Sequence, residues 1–126
     1  METLNIESTK KSPQIKFDNE TYYLSIIGRS VMSNLDDDFY TPIFKTLKDI
    51  LTVSPPSFTL EIKLDYFNTS SHLSIIKILK VAEKIDSGST NTKLIWSYSS
   101  DDIEMKEIGQ EMQKFCKVPF EYNAVD

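Results

Sequence analysis

The sequence predicts an α/β fold: one domain on a mixed, mostly parallel sheet of about five strands, with an N-terminal hairpin and about three helices. Three observations carry this. Two β-rich stretches near the N-terminus flank a turn at Asp18-Asn19-Glu20. Beyond them, apolar residues at helical spacing take turns with runs of strict two-residue alternation. The chain has 126 residues, the usual size of one domain and too few for two.

Residues 1–12 are polar and patternless and read as a flexible N-terminal arm, leaving 13–126 as the domain. Pro13 opens Gln14-Ile15-Lys16-Phe17, whose side chains alternate inward and outward. The stretch from Thr21 to Ile27 resumes β-rich composition, which makes a hairpin, and Gly28 is expected to end it. Asp36-Asp37-Asp38-Phe39-Tyr40-Thr41-Pro42 reads as a helix start. Carboxylates suit the positive end of a helix dipole, and proline is tolerated in a first turn because its missing N–H has no partner to lose there. Phe39, Ile43, Leu47 and Ile50 or Leu51 then recur at helical spacing until Ser54-Pro55-Pro56.

Phe58, Leu60, Ile62 and Leu64 alternate onto one face of the next strand. A second helix is expected from about Ser71 to Ile85. Its apolar residues (Leu73, Ile75, Ile76, Ile78, Leu79, Val81, Ala82, Ile85) cover more than the roughly 100° stripe that packing on a sheet requires. The surplus suits a neighbouring helix and a partner. Asp86-Ser87-Gly88-Ser89 breaks the chain, and Lys93 to Tyr98 forms a strand. Ser99-Ser100-Asp101-Asp102 caps a third helix near Ile103 to Phe115. Val118 to Tyr122 is expected as a last edge strand, because Pro119 cannot donate to a central ladder. The order is thus β-β-α-β-α-β-α-β.

Composition narrows the function. Apolar residues make up 40% and charged residues 26%, which permits an ordinary core. A net charge of −5, with lysines scattered rather than striped, argues against nucleic acid as a partner. Cys116 and His72 are each alone, which removes a disulfide framework and Cys- or His-based metal sites. The N-terminus has no basic-then-apolar leader, and no apolar run reaches the roughly 18 residues of a membrane span. A cytoplasmic protein without membrane contact is expected.

The richest chemistry lies at Asn68-Thr69-Ser70-Ser71, between a strand and a helix. Each of these side chains can cap the unpaired N–H groups of the first helical turn, and that is the simplest reading. The same N–H groups also favour an anion. A phosphate on Thr69 or Ser70 would bring about −1.5 to −2 charges to a place that tolerates them. A small-ligand sensor holding a phosphate or nucleotide at this helix end is the alternative. Other clusters offer less. Asp36, Asp37 and Asp38 with Asp101, Asp102 and Glu104 could attract a divalent cation, but both groups sit where helix starts favour carboxylates. Cys116 reads as a partly buried, unreactive thiol, and Trp96 and Tyr98 as core or a partner-facing patch. Ser71, His72 and Asp65 supply the atom types of a hydrolytic triad, yet adjacent helical residues point apart. None of the three glycines forms a phosphate-cradling loop. With no catalytic, metal or cofactor constellation, no enzyme is expected.

Leu64-Asp65-Tyr66-Phe67-Asn68-Thr69-Ser70-Ser71 resembles the signature of the SiaC-type regulatory phosphoproteins of bacteria. Further landmarks follow in the same order: Ser12-Pro13-x-Ile15-x-Phe17-Asp18, Leu24-x-Ile26-x-Gly28-Arg29-Ser30, Phe39-Tyr40-x-Pro42-Ile43, Trp96-x-Tyr98, Glu107-x-Gly109 and Pro119-Phe120. The resemblance implies a fold similar to the STAS domains of anti-sigma-factor antagonists, which switch partners on phosphorylation. By position it makes Thr69 the phosphoacceptor, framed by Asn68, Ser70 and Ser71. It also implies a kinase and a phosphatase as partners, and an effector, a diguanylate cyclase in cyclic di-GMP signalling, that the unphosphorylated form activates. One departure bears on partner choice: where many relatives carry Pro-Glu-Asn after Gly-Arg-Ser, this chain has Val31-Met32-Ser33-Asn34.

Overall fold

The computed structural model describes residues 1–33 and 38–126. The elements run β1 (Leu4–Ile6), β2 (Gln14–Asp18), β3 (Tyr23–Ser30), α1 (Thr41–Val53), β4 (Ser57–Phe67), α2 (Thr69–Ser87), β5 (Asn91–Ser99), α3 (Ile103–Gln113) and β6 (Phe120–Val125). The six strands form one sheet in sequential order. β1, β2 and β3 pair antiparallel, and β3 to β6 are parallel.

The register explains why this pattern folds this way. Leu4, Phe17, Leu24, Leu60, Leu94 and Phe120 stand opposite one another in one row across all six strands. Ile6, Ile15, Ile26, Ile62, Trp96 and Tyr122 form the next. A slip of one residue anywhere would turn a whole strand's apolar set to the other face, so burial of one face fixes the register. Ile43, Leu47 and Ile50 of α1, Ile75, Ile78 and Leu79 of α2, and Met105 and Met112 of α3 join these rows in a single core. All three helices therefore cover the same face of the sheet.

The arm expected over residues 1–12 contains β1, so the sheet has one strand more than the sequence suggests. Leu4-Asn5-Ile6 offers only one alternation, too short to stand alone, and it forms by adding to the edge that β2 presents. The link back to β2 is tied by Thr9, whose hydroxyl accepts the N–H groups of Lys11 and Ser12. Gly28 does not end β3 either. It adopts φ 131 where the pairing with β4 shifts register, and the strand continues to Ser30. A bulge at a residue without a Cβ bends the strand without stopping it. Helix α1 begins at Thr41 after a 3-10 turn over 38–40, with Pro42 in its first turn as expected, and it ends on Ser54 in the left-handed region (φ 52). Asp36 and Asp37, in the expected helix start, lie outside the described residues, as does Asn34.

The opposite face of the sheet is polar. At its centre Glu61 accepts hydrogen bonds from the Tyr23 hydroxyl and the Ser97 hydroxyl, both at 2.8 Å. Burial, then the hydrogen bond to the Glu61 carboxylate and its charge, push the Tyr23 phenol up to about 12. The folded state thus holds this proton more tightly than the unfolded chain, whose phenol titrates near 10. The stabilisation from this contact is whole below pH 10 and drains between pH 10 and about 12. In Tyr23→Phe the urea midpoint should decline less steeply over that window than in the parent chain. An unchanged alkaline profile would refute the linkage.

Candidate functional site

Helix α2 starts two residues earlier than its apolar pattern suggests, because Asn68, not a later hydroxyl, is the cap. Its backbone is extended, and its Oδ1 accepts the Ser71 N–H at 3.0 Å. Thr69, Ser70 and Ser71 are therefore the first three helical residues, and their environments differ sharply. Ser71 is fully buried. Its hydroxyl donates to the Ser30 carbonyl at 3.0 Å and lies 2.7 Å from the Ser30 hydroxyl, which in turn sits 2.6 Å from the Tyr40 hydroxyl. Ser70 is half-buried, and Thr69 is exposed. Of the three hydroxyls, one is offered to solvent.

The cap is locked from the other side as well. Asn68 Nδ2 donates to the Met32 carbonyl at 2.7 Å, and the Asn68 N–H reaches the Ser30 carbonyl at 3.1 Å. The Val31 N–H is held by the Lys11 carbonyl at 2.7 Å. Met32, in the stretch that follows Gly28-Arg29-Ser30, is thus mounted on the same cap as Thr69. Asn68→Ala removes the cap and leaves the Met32 carbonyl without this donor. A loss of about 1–2 kcal/mol is expected in urea denaturation; a change below about 0.3 kcal/mol would show that water replaces the cap at no cost.

Beside Thr69 opens a groove of about 380 Å³ between the end of β4, the first turns of α2 and helix α3. It is lined by Tyr66, Phe67, Asn68, Thr69, His72, Met105, Ile108, Glu111 and Met112. Tyr66 and Ile108 of its lining are large apolar side chains left exposed, as are Phe115, which meets the His72 ring, Leu73 on α2 and Ile103 on α3. Leu73 belongs to the surplus apolar surface of α2 that the sequence reserves for a partner. The Arg29 guanidinium lies over the Tyr66 ring, 5.5 Å from its centroid.

The α3 wall is set by a contact between two motifs that the sequence shows separately. Trp96, buried on β5, donates its Nε1–H to the Met105 carbonyl at 3.0 Å. It can approach the helix backbone this closely because Gly109 has no Cβ: one built there would lie 2.5 Å from Trp96 Cδ1 and Nε1. Asp102 caps α3, as expected, by accepting the Met105 N–H. The helix ends at Gln113, two residues short of the expected Phe115.

The remaining candidates separate. Ser71, His72 and Asp65 do not form a triad: Ser71 faces the buried hydroxyls, Asp65 lies 3.6 Å from the Lys63 ammonium, and His72 stacks on Phe67 and meets the edge of Phe115. Cys116 is buried against the Leu79 carbonyl, and burial pushes its thiol up, away from the reactive thiolate. Trp96 and Tyr98 are core. Among the described residues, no group of three or more His, Cys, Asp or Glu side chains is placed to hold a metal ion. Nor is any helix there long and apolar enough to cross a membrane.

The fold and site define an α/β domain whose chemistry is suited to contact: an apolar groove with one exposed, helix-capped hydroxyl on its rim. The chain belongs to the SiaC family of regulatory phosphoproteins, whose family model matches residues 6–125. A Pseudomonas aeruginosa (strain UCBPP-PA14) protein of uncharacterised function is 27% identical over 126 residues, covering 100% of this chain and 99% of its own. The crystal structure of apo-SiaC from Pseudomonas aeruginosa is similar over 98% of this chain and 100% of its own, with a TM-score of 0.88 and 26% identity. A chain in the crystal structure of the diguanylate cyclase SiaD with its activator SiaC, from the same organism, also gives a TM-score of 0.88. Its identity is 26%, over 97% of this chain and 99% of its own.

Proposed function

We propose that this regulatory phosphoprotein is a partner switch whose phosphoacceptor is Thr69, and that its unphosphorylated form docks and activates a diguanylate-cyclase-type effector through the groove beside that residue. The observation that carries this reading is the exposure of Thr69 next to a fully buried Ser71 on the same turn. A kinase can reach the first hydroxyl, while the second serves the fold together with Asn68. The likeness to SiaC, an activator in its complex with a diguanylate cyclase, supports the class of effector. The protein then acts in the cytoplasm by binding, in the partner-switching manner of STAS domains, and has no catalytic role of its own. A kinase and a phosphatase set its state.

Phosphopeptide mapping of the protein from its own cells tests the assignment. The phosphate should fall on Thr69, persist in Ser70→Ala and vanish in Thr69→Ala. Phosphate on Ser70 in the parent chain would overturn the choice of acceptor.

A further inference from the structure

We propose that His72 is the intramolecular partner of a phosphate on Thr69, so that the switch is a phosphate–imidazolium pair and not an isolated charge. This deepens the reading of Thr69 as phosphoacceptor and rests on it. The two residues are three apart on α2, which makes their side chains neighbours on one helix face, with Cβ atoms about 5–6 Å apart. Both line the same groove. The His72 ring lies parallel to Phe67 (3°, centroids 6.2 Å apart) and edge-on to Phe115 (6.2 Å, 83°).

Two of the other donors around Thr69 already have partners. Asn68 Nδ2 is held by Met32, and the Ser71 hydroxyl by Ser30. The Thr69 and Ser70 N–H groups have no intrahelical acceptor and would take two phosphate oxygens, which leaves an oxygen to face the imidazole. The charged groups on the groove walls are few. From α3 comes Glu111, tied to Lys114 at 3.1 Å; from the β4 side comes the Tyr66 ring with Arg29 on its face. These are the same in both forms of the protein, so any difference between the forms reports the phosphate.

A dianion at this range favours the protonated imidazole. On phosphorylation His72 takes a proton from solvent and pairs with the phosphate. The rim of the groove, apolar in the unmodified protein, becomes a hydrated ion pair that a docking partner must strip of water. Phosphorylation thereby changes two side chains at the interface at once.

Phosphothreonine installed at position 69 during synthesis, by an expanded genetic code, provides the test. His72 is the one histidine in the chain, so its imidazole resonances are unambiguous. Followed against pH, they should show proton binding tightened about tenfold or more by the phosphate. The 31P resonance should report the phosphate losing its second proton more readily than in His72→Gln, which keeps a polar side chain but cannot charge. Identical imidazole titration in the two forms, or a 31P curve unmoved by His72→Gln, would overturn the proposal. Because the phosphate is installed by synthesis, a cell that phosphorylates some other residue would defeat the assignment of Thr69 without altering this measurement.

Discussion

Replacing Gly109 with alanine is expected to destabilise the domain by roughly 2–3 kcal/mol, with a fall in Tm of about 10 °C. The sign is the informative part. On an exposed helix, glycine to alanine stabilises, since it restricts the unfolded chain and improves helix propensity by up to about 1 kcal/mol. Here the added Cβ meets ring atoms of Trp96 at 2.5 Å, and a third at 2.9 Å. The indole cannot retreat, because it is buried among β5 and its neighbours and its N–H is fixed on the Met105 carbonyl. It also stacks on Phe120 at 5.9 Å. Helix α3 must therefore lift away, which opens the core and moves the Met105, Ile108 and Met112 wall of the groove. Chemical denaturation measures the first effect, and binding of the proposed effector to the folded variant measures the second. An alanine variant as stable as the parent would mean that α3 does not rest on Trp96 in this way.

Thr69→Asp should weaken binding of the effector by about 30-fold or more, roughly 2 kcal/mol, while leaving Tm within about 2 °C of the parent. The two expectations have separate physical origins. In the first turn of α2 a carboxylate faces the positive end of the helix dipole, which is mildly stabilising. At the rim of an apolar groove the same carboxylate must be desolvated when a partner docks. Thr69→Ala removes the acceptor without adding charge, so it should bind like the parent and no longer respond to the kinase. Isothermal titration with purified effector distinguishes the outcomes. Equal affinity for the parent and Thr69→Asp would remove Thr69 from the interface; a collapse in Tm would make it a structural residue.

The strands β2 to β6 and the three helices are legible because each is long enough for its period to show, and because Pro42, Ser54-Pro55-Pro56 and Asp102 punctuate them. β1 is not legible. Three residues carry almost no period, and what stabilises them is an edge supplied from elsewhere in the chain. Gly28 misleads for a related reason, since a glycine that bends a strand and one that ends it look alike until the neighbouring strand shows whether pairing resumes. The hydroxyl turn is plainly visible, but its residues look interchangeable in sequence. Only the distant Ser30 and Tyr40, brought alongside Ser71, decide which hydroxyl is buried and which is offered.

The sequence by itself determined the α/β class, the parallel body of the sheet, the acidic composition, and the hydroxyl-rich turn that opens α2. These follow from local period, local capping and composition, which a linear reading contains. Tertiary structure alone decided that Trp96 rests on Gly109, that α3 walls a groove beside Thr69 and His72, and that Met32 is held by the cap of α2. Trp96 with Gly109, the α3 wall with the start of α2, and Met32 with Asn68 each join different elements of the chain, and no periodicity records such a distance.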